Sequence, residues 1–113
     1  LTLYSTKARD LLVQLAEKGR VAGVHLITAT QTPKANVIST NFRNNCGIRI
    51  AFSVPDYTAS NVILGRTGAQ YLTAPGDALV LNGNTLTRFQ AAVTDLSYLS
   101  EFRRRGLLAR LLG

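Results

Sequence analysis

Along residues 6–18 apolar side chains recur every three or four positions. Ala8, Leu11, Leu12, Leu15 and Ala16 fall on one side and Lys7, Arg9, Asp10, Gln14, Glu17 and Lys18 on the other. That spacing predicts an amphipathic helix with its apolar stripe on a sheet, capped by Ser5 or Thr6 and stopped at Gly19. The period then changes. Residues 24–29 form a short apolar run rich in branched side chains, bounded by turn formers, which is the pattern of a strand buried on both faces. Its far end turns polar at Thr30, Gln31 and Thr32, and Pro33, having no N–H, stops the ladder.

The second half alternates the same two periods. Residues 33–36 read as an exposed loop, and Ser39 is a candidate cap for a short helix through Asn45 with Ile38 and Phe42 turned inward. Residues 48–54 predict a second strand, and Pro55 with Asp56 opens a helix running to about Leu64. Residues 65–68 form a loop that carries Arg66. After a turn at Gly76, two apolar stretches flank Asn82, Gly83 and Asn84, and the Asn-Gly pair signals a β-hairpin. Asp95 or Ser97 caps a last helix in which Leu96, Leu99, Leu107, Leu108 and Leu111 alternate with Arg103, Arg104, Arg105 and Arg110.

With 113 residues, 46% of them hydrophobic, the chain is long enough for one core of its own and too apolar to be disordered. Thirteen Lys and Arg against six Asp and Glu give a net charge of +7, which favours a polyanion or an acidic surface as partner, although a solvated basic surface also serves solubility. The single Cys46 excludes an internal disulfide and a multi-cysteine metal site, and fits a reducing, cytoplasmic setting. Beside no His and carboxylate in sequence, it reads as an inert small hydrophobe. His25, the one histidine, reads as a packed core residue. No apolar run approaches the ~20 residues that span a bilayer. Leu1 in place of an initiator Met suggests a piece of something longer.

Residues 19–33, GRVAGVHLITATQTP, closely resemble the segment that follows the Walker B strand in the FtsK/SpoIIIE family of hexameric DNA-pumping ATPases. There a similar Arg-x-x-Gly-x-His-Leu stretch runs into Ala-Thr-Gln-x-Pro. The resemblance continues through NNCGIRIAFSV at residues 44–54, Ser60 with Ile63 and Leu64, GAQYL at 68–72 and GDALVL at 76–81, and covers residues 14–81 in all. Ordered motifs at matching intervals make it specific. It implies an α/β fold: the C-terminal half of a RecA-like P-loop NTPase domain, with a partial parallel sheet, covering helices and a C-terminal β-hairpin. Residues 1–94 would be the ATPase-domain portion and 95–113 a basic C-terminal helix. In the complete fold the Walker A strand lies between the 24–30 strand and the 48–54 strand. The piece is therefore expected to pair those two directly, to expose edges that drive self-association, or to be poorly stable in isolation.

Phosphate cradling by a P-loop needs a Gly-rich turn ending in Gly-Lys-Ser/Thr, and water activation needs an apolar strand ending in Asp-Glu; the sequence contains neither. ATP and Mg²⁺ are therefore expected to be held by the parent protein outside these residues, and the piece alone to be inactive. Within the resemblance, Gln31 matches the glutamine that ends the sensor strand. Its amide can donate to a γ phosphate and accept from water at once, and a bond to the next loop is the structural alternative. Thr30 beside it, and Arg49 in the second strand, are further candidates for the nucleotide side, Arg49 equally as a partnered arginine on a sheet face. Arg20 occupies the Gly-Arg position that in related ring ATPases resembles a trans-acting arginine finger, worth roughly 10³ to 10⁵ in rate. A surface arginine near a helix end is the alternative. Lys34 and Arg43 are the candidates for tracking a duplex backbone without reading sequence, ahead of Arg103–Arg105, a run that also reads as the wet face of a helix. Where relatives tend to carry Asp-Ser-Arg, this chain has Ala59, Ser60 and Asn61, which puts the subunit contact there in question.

The implied function is part of an ATP-driven translocase of double-stranded DNA, in chromosome segregation or conjugative transfer, working as a hexameric homo-oligomer. It would be cytoplasmic, with any membrane anchor of the parent lying N-terminal to this stretch. Two alternatives stay open: a piece of a type VII secretion ATPase of the same type, and an interaction domain without a nucleotide site.

Overall fold

The computed structural model describes residues 6–93 together with 95 and 97. The elements run, in order, α1 (Thr6–Lys18), α2 (Thr40–Asn45), β1 (Ile48–Phe52), α3 (Tyr57–Leu64), a 3₁₀ turn (Ala69–Tyr71), β2 (Asp77–Asn82) and β3 (Thr85–Gln90). Of the predicted last helix only Asp95 and Ser97 are described, Asp95 Oδ1 accepting the Ser97 N–H at 3.0 Å; the rest of it and the run Arg103–Arg105 lie outside the described residues.

Local chemistry accounts for most of these boundaries. Ser39 is extended and its Oγ accepts the Phe42 N–H at 3.1 Å, so α2 starts where the cap satisfies an otherwise orphan donor. Asp56 does the same for α3, accepting from the Ala59 N–H at 2.8 Å. At its other end Gly65 adopts φ +75°, which a Cβ disfavours, and its N–H closes on the Asn61 carbonyl at 2.8 Å. Between β2 and β3, Asn82 pairs with Thr85, leaving Gly83 and Asn84 as a two-residue loop. Only Gly83 of the two has positive φ, +59°, the pattern of a type II′ hairpin turn.

The sheet is three-stranded in the order β1-β2-β3, and both pairings are antiparallel. This corrects the expected partial parallel sheet: the two-residue loop between β2 and β3 can only join antiparallel strands, and the longer connection through α3 brings β2 back antiparallel to β1. Its inner face carries Ala51, Leu79 and Leu81, which with Leu64 of α3 and Ala69 and Leu72 of the 3₁₀ segment form the core; Val54, Ile63 and Leu86 close its margin. Ser60, fully buried, ties that layer together, donating to the Arg66 carbonyl at 2.8 Å and accepting from the Ala69 N–H at 3.1 Å. On the outer face Ile48, Ile50 and Phe52 remain half exposed or more.

Three further expectations are corrected. Residues 24–30 form neither helix nor ladder and every one of them is exposed, Ile27 to 93%. A strand buried on both faces needs neighbours on both edges, and among the described residues β1 pairs only with β2. His25 lies in this stretch and is exposed for the same reason. Helix α1 buries no residue and packs chiefly on α2, where Asn45 Nδ2 donates to Glu17 Oε1 at 3.5 Å; the inner sheet face is already taken by α3.

Candidate functional site

The polar end of the 24–30 stretch is shaped by its own side chains. Thr30 Oγ1 accepts the Thr32 N–H at 3.1 Å, a local turn that precedes Pro33. The chain then winds through residues 34–38, with the Lys34 carbonyl accepting from Val37 N–H at 2.8 Å and Ile38 N–H at 2.9 Å. Thr30, Gln31 and Lys34 thus share one exposed polar segment. The Gln31 amide has no hydrogen-bond partner among the described residues, so the alternative of a glutamine tied to the next loop is not what the structure displays.

Arg20 stands apart, exposed in the turn that follows α1. There Gly19, itself buried, accepts the Val24 N–H at 2.8 Å. Residues 21–30 separate it from Gln31, and nothing among the described residues draws the two together.

Arg43 and Arg49, assigned to DNA and nucleotide respectively by sequence, are brought to one place. From α2, Arg43 Nη1 donates to the Asn61 carbonyl at 2.8 Å. From the inner face of β1, Arg49 Nη1 donates to the Leu64 carbonyl at 3.3 Å. Both guanidinium groups therefore gather at the C-terminal end of α3, where the helix dipole favours positive charge. Burial and then the neighbouring charge of Arg43 lower the pKa of Arg49 from its ordinary value. Cys46, half buried at the end of α2, has its thiol pushed up by burial, partly offset by Arg49.

Sequence reasoning missed the pair Asp77 and Arg88. Asp77 is 6% exposed, and Arg88 Nε donates to its Oδ1 at 2.8 Å while Nη2 holds the other oxygen. The signal was legible: an Asp inside the apolar run GDALVL has to be neutralised or paired. Among the described residues there is no group of His, Cys, Asp and Glu that could hold a metal ion, and no Gly-rich turn aimed at a phosphate. No helix among them is long and apolar enough to cross a membrane.

A three-stranded sheet with α3 on its inner face and a polar, unpaired segment ahead of it is a partial α/β domain, and solved structures identify the class. The conjugation coupling protein TcpA of pCW3, solved as a monomer with ATPγS, superposes with a TM-score of 0.74 at 28% identity, over 86% of this chain and 30% of that one. The cytoplasmic domain of the type VII secretion ATPase EccC from Thermomonospora curvata gives 0.67 at 28% identity, over 80% of this chain and 11% of that one. The fold is that of part of a P-loop ATPase domain. No family model matches the sequence. Curated relatives do: the DNA translocase FtsK of Vibrio vulnificus is 44% identical over 81 residues, 72% of this chain and 8% of the relative. FtsK of Staphylococcus epidermidis is 41% identical over 88 residues, 76% and 11%, and that of Lactococcus lactis subsp. cremoris 40% over 94 residues, 81% and 12%. The chain belongs to the FtsK/SpoIIIE family, and it spans about a tenth of the length of the relatives it matches.

Proposed function

We propose that this chain is the responding part of an ATP-driven translocase of double-stranded DNA, working in the cytoplasm within a homo-oligomeric, hexameric ring in chromosome segregation or conjugative transfer. The observation that carries the reading is the identity to DNA translocases FtsK from several genera across most of the chain. The likeness to a conjugation coupling protein supports it, as does the net charge of +7, which suits a phosphate polymer gripped without sequence reading.

In this reading ATP and Mg²⁺ are held by a part of the parent outside these residues. Gln31 and Thr30 face that nucleotide from the polar segment, and Arg20 is offered to the nucleotide of a neighbouring subunit. An arginine suits that task because its guanidinium keeps its charge at any working pH. Lys34, on the same exposed segment as Gln31, couples a change there to a DNA phosphate in this reading.

The likeness to EccC supports a second reading, a piece of a type VII secretion ATPase whose cargo is protein. Salt separates the two. Each phosphate neutralised by Lys or Arg steepens the fall of log K with log salt by roughly 0.9. The translocase reading expects the intact parent to bind duplex with a slope corresponding to several phosphates. Duplex binding absent at low salt would overturn it in favour of the secretion reading.

A further inference from the structure

The two arginines over the end of α3 are more than a cap. Gly65 already closes the helix in the left-handed conformation, its N–H on the same Asn61 carbonyl that Arg43 engages. A Cβ placed on Gly65 would lie 3.6 Å from Arg49 Nη1 and 3.9 Å from Arg43 Cζ, so both guanidinium groups crowd one point beside a residue that has no side chain. Each spends a single N–H on a carbonyl. The Nε of each is buried without a partner. The Nη2 groups make no hydrogen bond among the described residues, and both arginines are partly exposed.

No described carboxylate pairs with either arginine; the ion pair of the described residues is Arg88 with Asp77. Two like charges are thus fixed side by side, from α2 and β1, with unspent donors and no counter-charge among the described residues. Helix dipole and carbonyls offset part of the repulsion. A compact oxyanion bridging the two forks satisfies the remainder, because charge-assisted bonds from planar guanidinium groups are the strong ones.

We propose that Arg43 and Arg49 together form a single phosphoryl-anion site at the C-terminal end of α3, with their Nη2 groups as the donors and Gly65 as the floor. The site replaces two separate assignments with one and does not depend on the translocase reading. Its ligand carries a tetrahedral phosphoryl group, supplied by a free phosphate compound or by a nucleic-acid backbone.

The test is an NMR titration of the full chain with pyrophosphate, read at the arginine side-chain Nε–Hε signals. Signals of Arg43 and Arg49 shift together with one affinity while those of Arg66 and Arg88 stay put. Arg43→Gln and Arg49→Gln each weaken pyrophosphate binding about tenfold or more, and Arg66→Gln changes it less than about twofold. A second titration with a 20-base-pair duplex names the source: shifts of the same two signals point to a backbone phosphate, and shifts with pyrophosphate alone to a free phosphate compound. Uniform small shifts of all arginines, or equal weakening by Arg66→Gln, overturn the site. Should either Gln variant fail to fold, the wild-type titration alone decides.

Discussion

Arg88 on β3 grips the buried carboxylate of Asp77 on β2 with both Nε and Nη2, diagonally across the inner face of the hairpin. The hydrogen bond from Arg88 is the largest influence on Asp77 and holds its carboxyl below the usual carboxylate range, with the charge of Arg88 and the Ala78 N–H acting in the same direction and burial opposing them. A group whose folded pKa is depressed contributes stability above its unfolded pKa, about 3.9 for Asp, and loses it as pH falls through the folded value. The chain is therefore expected to melt at constant temperature from neutral pH to about 4 as far as this pair is concerned, and a few degrees lower below it. In Asp77→Asn that acid-dependent step disappears, which melting curves between pH 7 and pH 2 will record.

Ser60→Ala removes the hydroxyl that satisfies the Arg66 carbonyl and the Ala69 N–H in a fully buried position. The expected loss is about 1–3 kcal/mol, the cost of leaving buried polar groups unpaired. Urea unfolding should show a lower midpoint with an unchanged slope.

The two sheet faces should respond unequally to truncation. Leu64, 2% exposed within the core, is expected to cost roughly 2–5 kcal/mol as Leu64→Ala. Ile50, 50% exposed on the outer face, should cost less than about half as much as Ile50→Ala. Equal losses in the same unfolding assay would contradict the assignment of inner and outer faces.

Much of this architecture is legible in local chemistry. Ser39, Asp56 and Gly65 mark helix ends because capping is decided within four residues, and Asn82, Gly83 and Asn84 mark the hairpin for the same reason. What depends on distant partners is not legible. The apolar run at residues 24–30 satisfies the local pattern of a buried strand, yet no described strand lies beside it. Arg43 and Arg49 sit six positions apart on a helix and a strand. Their convergence is set by the Asn61 and Leu64 carbonyls, 18 and 15 residues further on, and no spacing rule anticipates it. The resemblance to a family supplied roles for Gln31 and Arg20 that pattern alone does not contain.

The central claim is tested most directly by ATP turnover of the intact parent protein in the presence and absence of duplex DNA, for the wild type and for Arg20→Ala and Gln31→Ala. The account predicts duplex-stimulated turnover in the wild type and a loss of roughly 10³-fold or more in Arg20→Ala with nucleotide still bound. Mixing Arg20→Ala with a subunit defective in nucleotide binding should restore part of the activity. Turnover that ignores duplex and is unchanged in both variants would contradict it.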